Sequence, residues 1–231
     1  SRTDKCTSCD GVRTVTLPAK HTAVKDAAVA ATVFKAGKKE GSHCKVCGKV
    51  LRKQITVAKL KPTISLTASS LKMKAGQSTT AFKAAGLAKG DYVTRVTSGN
   101  TGIVKVSSVT KKGAFRLTAG KKAGSTTVKV ILASKKSASF KVTVQRGVVK
   151  TSKITVSTKS VTLKKGTTYR KLASSVKVTP VTSQEKVTYT SSNKKIVTVT
   201  SGGVIKGLKK GNATITIRSG SKRTTCKVTV K

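Results

Sequence analysis

The chain has 231 residues, 3% of them aromatic and none tryptophan, and a formal net charge of +43 from 49 basic against six acidic side chains. Acids as scattered as Asp4, Asp10, Asp26, Glu40, Asp91 and Glu185 exclude the paired carboxylates of sugar hydrolysis and the clustered oxygens of a calcium site. There is room for two or three ordinary domains, and no apolar run reaches the length needed to cross a bilayer.

Residues 1–60 hold most of the cysteines, as Cys6-x-x-Cys9 and Cys44-x-x-Cys47. Two such knuckles supply four thiolates, enough to close a tetrahedral structural zinc site. On that reading Cys6, Cys9, Cys44 and Cys47 are the ligands. The stretch between Cys9 and Cys44 is longer than most zinc ribbons use. In addition, Lys5–Ala19 echoes His43–Ala58, so the knuckles also read as successive copies of a small repeat. Disulfides within or between the pairs, and free thiols, stand as the alternatives in a secreted chain. His21 and His43 are further ligand candidates, weighed against ordinary surface histidines. A thioredoxin-like role lacks its helix N-terminus. Asp10 and Gly48 stand where covalent haem requires histidine.

The run HTAVKDAAVAATVFKAGKKEGSHCKVCGKVL (His21–Leu51) resembles cysteine-rich repeats found beside immunoglobulin-like modules in surface proteins of gut-dwelling Firmicutes. The resemblance implies a middle cysteine where this chain has Val33. If each repeat holds a metal with its own three cysteines, this copy has lost a ligand, which favours a site shared between knuckles or no site.

Beyond residue 60 one pattern occurs twice. Thr97–Ser108, Lys121–Leu132 and Ser137–Gln145 return as Thr190–Ser201, Leu208–Ile217 and Arg223–Val230. In the second copy strand-like runs fall at Lys153–Ser157, Ser160–Leu163, Thr167–Leu172, Lys186–Thr190, Ile196–Thr200, Val204–Gly207, Ala213–Arg218 and Thr224–Val230, with turn residues between them. That spacing predicts an antiparallel sandwich. Alternation places Cys226, Val228 and Val230 inward, and likewise Phe140, Val142 and Val144 in the first copy. Cys226 therefore reads as a small buried hydrophobe.

The segments SVTLKKGTTY (Ser160–Tyr169) and VTYTSSNKKIVTVTSGGVIKGLKKGNATITI (Val187–Ile217), with the closing CKVTV strand, resemble the bacterial immunoglobulin-like group 2 family. The match runs over residues 152–231 and more loosely over 62–145, where Val96 replaces Tyr189 and Val109–Phe115 carries extra residues. It implies an immunoglobulin-like sandwich on an extracellular or cell-surface bacterial protein, used as a stalk or adhesion module and without enzyme activity. The expected chain is all-β: a cysteine-rich module over 1–60, then tandem sandwiches over 61–146 and 147–231. Arg146–Lys153 would link them, either as a semi-rigid joint or as a hinge. With no signal peptide, sortase motif or anchor in sight, the chain reads as a piece of a larger product.

The phosphate-cradling loop, the dinucleotide fingerprint and the G-x-S-x-G elbow are absent from the sequence, so no enzyme is expected. Asp91 and Glu185, at matching places in the repeats, are the candidate acids for a Lys–Asn isopeptide link, a minor alternative. Lysine is placed in doublets: Lys38-Lys39, Lys111-Lys112, Lys121-Lys122, Lys135-Lys136, Lys164-Lys165, Lys194-Lys195 and Lys209-Lys210. Most fall at predicted turns, and Lys129, Lys141 and Lys227 fall on outward strand positions. A single lysine of this kind is ordinary solvated surface that guards a sheet edge. The total is not ordinary, because self-repulsion on this scale asks for a polyanionic surrounding. Diffuse lysine binding suits an anionic polysaccharide such as a host glycan, or a cell-wall polymer. Scarce aromatics and arginines rank nucleic acid lower. Self-association into an extracellular filament or layer, and an accessory module of a larger secreted enzyme, are the alternative roles.

Overall fold

A computed structural model describes residues 2–15 and 21–231, and it is built almost wholly of short strands. The chain divides into two compact units. The first comprises residues up to Lys61 together with Ala88–Gly90, and the second comprises Pro62–Leu87 and Asp91–Lys231.

The first unit is a set of small ribbons. Arg2–Lys5 pairs with Val12–Val15, Gly41–Cys44 lies between Ala23–Asp26 and Val50–Arg52, and Gly37–Lys38 pairs with Thr56–Val57. Among its described residues only Ala31 and Cys44 are buried apolar side chains, whereas Val29, Phe34, Val46, Val50, Leu51 and Ile55 are exposed.

The second unit holds two sandwiches, each with its own core. In the first, a sheet ordered 93–98, 124–132, 137–145, 70–74 faces smaller sheets formed by Ser78–Thr79, Arg116–Ala119 and Val104–Ser107, and by Ala84–Ala85 and Ser65–Leu66. In the second, the order 160–163, 222–230, 211–219, 187–191 repeats that plan. Alternation is what makes these strands. Val128, Val130 and Leu132 point inward against Phe140, Val142 and Val144, while Lys129, Lys141 and Thr143 between them point outward. The cores are filled differently. The first stacks Phe82 on Phe140 with ring centroids 4.1 Å apart and Phe115 alongside at 6.3 Å. The second uses Ile154, Ile205, Ile215, Ile217, Cys226 and Val228, with Tyr169 and Tyr189 at its margin.

Two sequence expectations need correction. The sandwiches are not purely antiparallel: 70–74 runs parallel to 137–145 (Lys141 opposite Ser70) and 160–163 runs parallel to 222–230 (Ser160 opposite Lys227). Parallel neighbours need a long crossover, and here the whole intervening domain supplies it. The predicted run Thr167–Leu172 forms a strand only at Thr168–Tyr169, and a 3-10 turn follows at Ala173–Ser175. An unforeseen strand, Val176–Thr179, pairs with Lys153–Val156 instead.

The link between the sandwiches is tied down. The Gln145 side-chain amide donates to the Val148 carbonyl at 2.9 Å, and the Gln184 N–H donates to the Val149 carbonyl at 3.0 Å. Gln77 Nε2 donates to the Thr182 carbonyl at 2.9 Å, and the Thr182 hydroxyl donates to the Lys72 carbonyl.

Candidate functional site

The second cysteine knuckle is a hairpin turn. The Cys44 N–H donates to the Lys49 carbonyl at 2.8 Å, and the Gly48 N–H donates to the Cys44 carbonyl at 2.9 Å. Gly48 sits at φ +70° with open space around it, so its backbone angle and not crowding calls for glycine. This turn brings the Cys44 and Cys47 sulfurs together. The strand Ala23–Asp26 lies beside Gly41–Cys44 with Ala23 opposite Cys44, and the Lys45 N–H donates to the Thr22 carbonyl at 2.9 Å. His21 is thereby placed at the knuckle, its Nδ1 3.5 Å from Cys47 Sγ. One donor atom from each of His21, Cys44 and Cys47 lies within 4.8 Å of the other two. The Cys44 thiol is lowered to about 6, first by the backbone N–H of Cys47 and then by the His21 side chain.

Cys6 and Cys9 lie outside that group. Their hairpin repeats the same closing bond, Cys6 N–H to the Gly11 carbonyl at 2.9 Å. The Cys6 thiol is lowered to about 7, first by the Ser8 hydroxyl. All five cysteines are free thiols, and Cys226 is fully buried in the second core with its thiol raised by that burial. His43 engages Asp26 through Nδ1 at 2.7 Å and does not join the group. Sequence reasoning offered His21 and His43 equally. The strand register that separates them is not visible in the spacing of the residues.

The expected lysines, Lys111, Lys112, Lys121, Lys122, Lys135, Lys136, Lys164, Lys165, Lys194, Lys195, Lys209 and Lys210, are all exposed and lie between strands. In the second sandwich they gather at one end. The Gly166 N–H donates to the Gly207 carbonyl at 2.8 Å, the Leu208 and Lys209 N–H groups both reach the Ile196 carbonyl, and the Lys165 N–H reaches the Lys231 carbonyl at 3.1 Å. Those bonds bind the turns carrying Lys164-Lys165, Lys194-Lys195 and Lys209-Lys210 into a single face. The Gln184–Glu185 loop, which grips the linker, belongs to the opposite end. In the first sandwich the lysines divide instead: Lys111 lies over the Tyr92 ring at 5.3 Å at one end, while Lys121-Lys122 follow Gly120 at the other.

Among the described residues no lysine of the sandwiches forms an ion pair. Asp91 accepts hydrogen bonds from the Ser134 N–H and hydroxyl, and Glu185 accepts from the Thr151 N–H at 2.7 Å. Each carboxylate is used to hold a loop. Among the described residues the ion pair Lys25–Glu40 belongs to the first unit, as does the His43–Asp26 hydrogen bond. Lys129, Lys141 and Lys227 stand exposed on the outer sheet faces, as alternation predicts.

Residues 150–230 match the family model of the bacterial Ig-like domain (group 2), and the fold is an immunoglobulin-like β-sandwich. Among solved structures, domains 5-6 of the S-layer protein SbsC align with a TM-score of 0.38 and 22% identity, over 73% of this chain and 96% of that one. A longer SbsC structure aligns with a TM-score of 0.33 and 16% identity, over 99% of this chain and 37% of that one. Protocadherin Gamma C5 EC1-3 aligns with a TM-score of 0.35 and 11% identity, over 85% and 76% respectively. No curated protein matches the chain in sequence.

Proposed function

We propose that this chain is a non-catalytic adhesion or spacer segment of an extracellular or surface bacterial protein, and that it holds polyanions through its basic faces. The observation that supports this reading most strongly is the gathering of Lys164, Lys165, Lys194, Lys195, Lys209 and Lys210 at one end of the second sandwich with no carboxylate among them. An exposed lysine–anion contact contributes only about 0.2–1 kcal/mol. Several on one face, within about a Debye length of 8 Å at physiological salt, act on the same polymer together. Compact ammonium groups without stacking aromatics suit sulfated or sialylated host glycans and wall polymers such as teichoic acids. They suit base recognition poorly, which leaves nucleic acid as a weaker partner.

The same reading gives the first unit a structural zinc. A set of ribbons that buries so little apolar surface ordinarily needs a staple.

Retention of the purified chain on immobilised heparin and on teichoic acid tests the polyanion reading. Retention beyond physiological salt is the expected result. Elution at very low salt removes the binding role and leaves a spacer.

A further inference from the structure

We infer that His21, Cys44 and Cys47 form a self-sufficient three-donor site for zinc, with the fourth coordination position left to a ligand from outside the knuckle. The inference rests on the structural-zinc reading and specifies its ligands.

Distance is the first support. Zinc bonds of about 2.3 Å to sulfur and about 2.0 Å to nitrogen, at the tetrahedral angle, separate a sulfur from a nitrogen by about 3.5 Å. Cys47 Sγ and His21 Nδ1 are 3.5 Å apart, and Cys44 Sγ lies within 4.8 Å of both. A tetrahedral ion therefore fits once the three donors, the buried Cys44 and the exposed Cys47 among them, draw slightly closer. Donor chemistry is the second. Two thiolates and one imidazole select zinc over the hard cations that prefer oxygen. Zinc takes the thiolate forms, so whatever proton a thiol still carries goes to solvent, and no electron transfer is involved.

The third support is the copy relation between the knuckles. Cys6–Gly11 and Cys44–Lys49 are closed by the same backbone bond, at 2.9 and 2.8 Å. They are two instances of one hairpin, which fits two separate knuckles better than two halves of a single four-thiolate site. Among the described residues no further histidine, cysteine or carboxylate joins His21, Cys44 and Cys47. Three protein ligands and one replaceable position is the arrangement that lets a bound zinc accept an added group.

The test is cobalt(II) titration of the reduced, metal-free full chain, followed by zinc displacement. The inference predicts one cobalt per chain, with thiolate charge-transfer and tetrahedral ligand-field bands. Cys6→Ser with Cys9→Ser should leave those bands intact, whereas Cys47→Ser and His21→Gln should abolish them or weaken binding at least about tenfold. Added imidazole should shift the ligand-field bands. Cys47 is exposed, and an unchanged pattern of amide exchange over the first unit of the metal-free chain in each variant shows that this unit keeps its fold. Bands lost equally on replacing Cys6 and Cys9 would overturn this ligand set while leaving a structural metal in place. Bands indifferent to imidazole would overturn the replaceable position. No cobalt bound by a chain with its thiols reduced would overturn both the inference and the zinc reading beneath it.

Discussion

Cys226 shows how a single side chain can be assigned from alternation alone. It lies on the inward row of Lys222–Val230, packed with Ile215 and Val228, and has no exposed surface. Cys226→Ser places a more strongly polar hydroxyl in an apolar core where the acceptor of the thiol, the Lys227 carbonyl, is a distant 3.7 Å from the sulfur. The expected loss is about 1–3 kcal/mol in chemical denaturation. Cys226→Ala should lose less, because no polar group is stranded. Cys6 is a different kind of thiol, exposed in its turn and lowered to about 7, chiefly by Ser8. A lowered thiol is protonated and slow below that pH and becomes the reactive thiolate above it. Alkylation of Cys6, followed by peptide mass spectrometry, should therefore rise with a midpoint near 7, and Ser8→Ala should move the midpoint upward. A midpoint at the ordinary thiol value would contradict this.

At the scale of strands, the residues of the core were legible in the sequence because period-two alternation marks a half-buried strand directly. Phe140, Val142, Val144, Cys226, Val228 and Val230 fall inward as expected. Two features were hidden for physical reasons. The strand Val176–Thr179 has an inward row of only two residues, Val176 and Val178, both half-buried, which is too short an alternation to mark a strand among its serine, lysine and threonine neighbours. The parallel pairing of 160–163 with 222–230 joins segments far apart in the chain, and local pattern carries no information about a partner at that distance. His21 could not be told from His43 as a ligand for the same reason, since its place beside Cys44 depends on a strand register. The joint between the sandwiches is likewise a matter of specific side chains: Gln77 and Thr182 make the cross-contacts. Gln77→Ala combined with Thr182→Val removes hydrogen bonds contributing about 0.5–1.5 kcal/mol each. Trypsin cleavage after Arg146 and Lys150 should then accelerate, and an unchanged rate would show that the joint is held by other contacts.

For the molecule as a whole, charge is the property that composition announced and structure organised. A formal +43 says only that the surface is repulsive to itself and attractive to anions. The fold adds that the acids of the sandwiches are occupied within loops, and that one end of the second sandwich collects lysines from three separate turns. The central claim is that this end face, and not net charge alone, holds a polyanion. It is tested most directly by two variants with equal charge removed. One changes Lys164, Lys165, Lys194, Lys195, Lys209 and Lys210 to alanine, and the other changes Lys111, Lys112, Lys121, Lys122, Lys135 and Lys136. On immobilised heparin the first should elute at clearly lower salt than the second, and the second should stay near the parent chain. Coincident elution of the two variants would contradict the claim and leave only diffuse attraction.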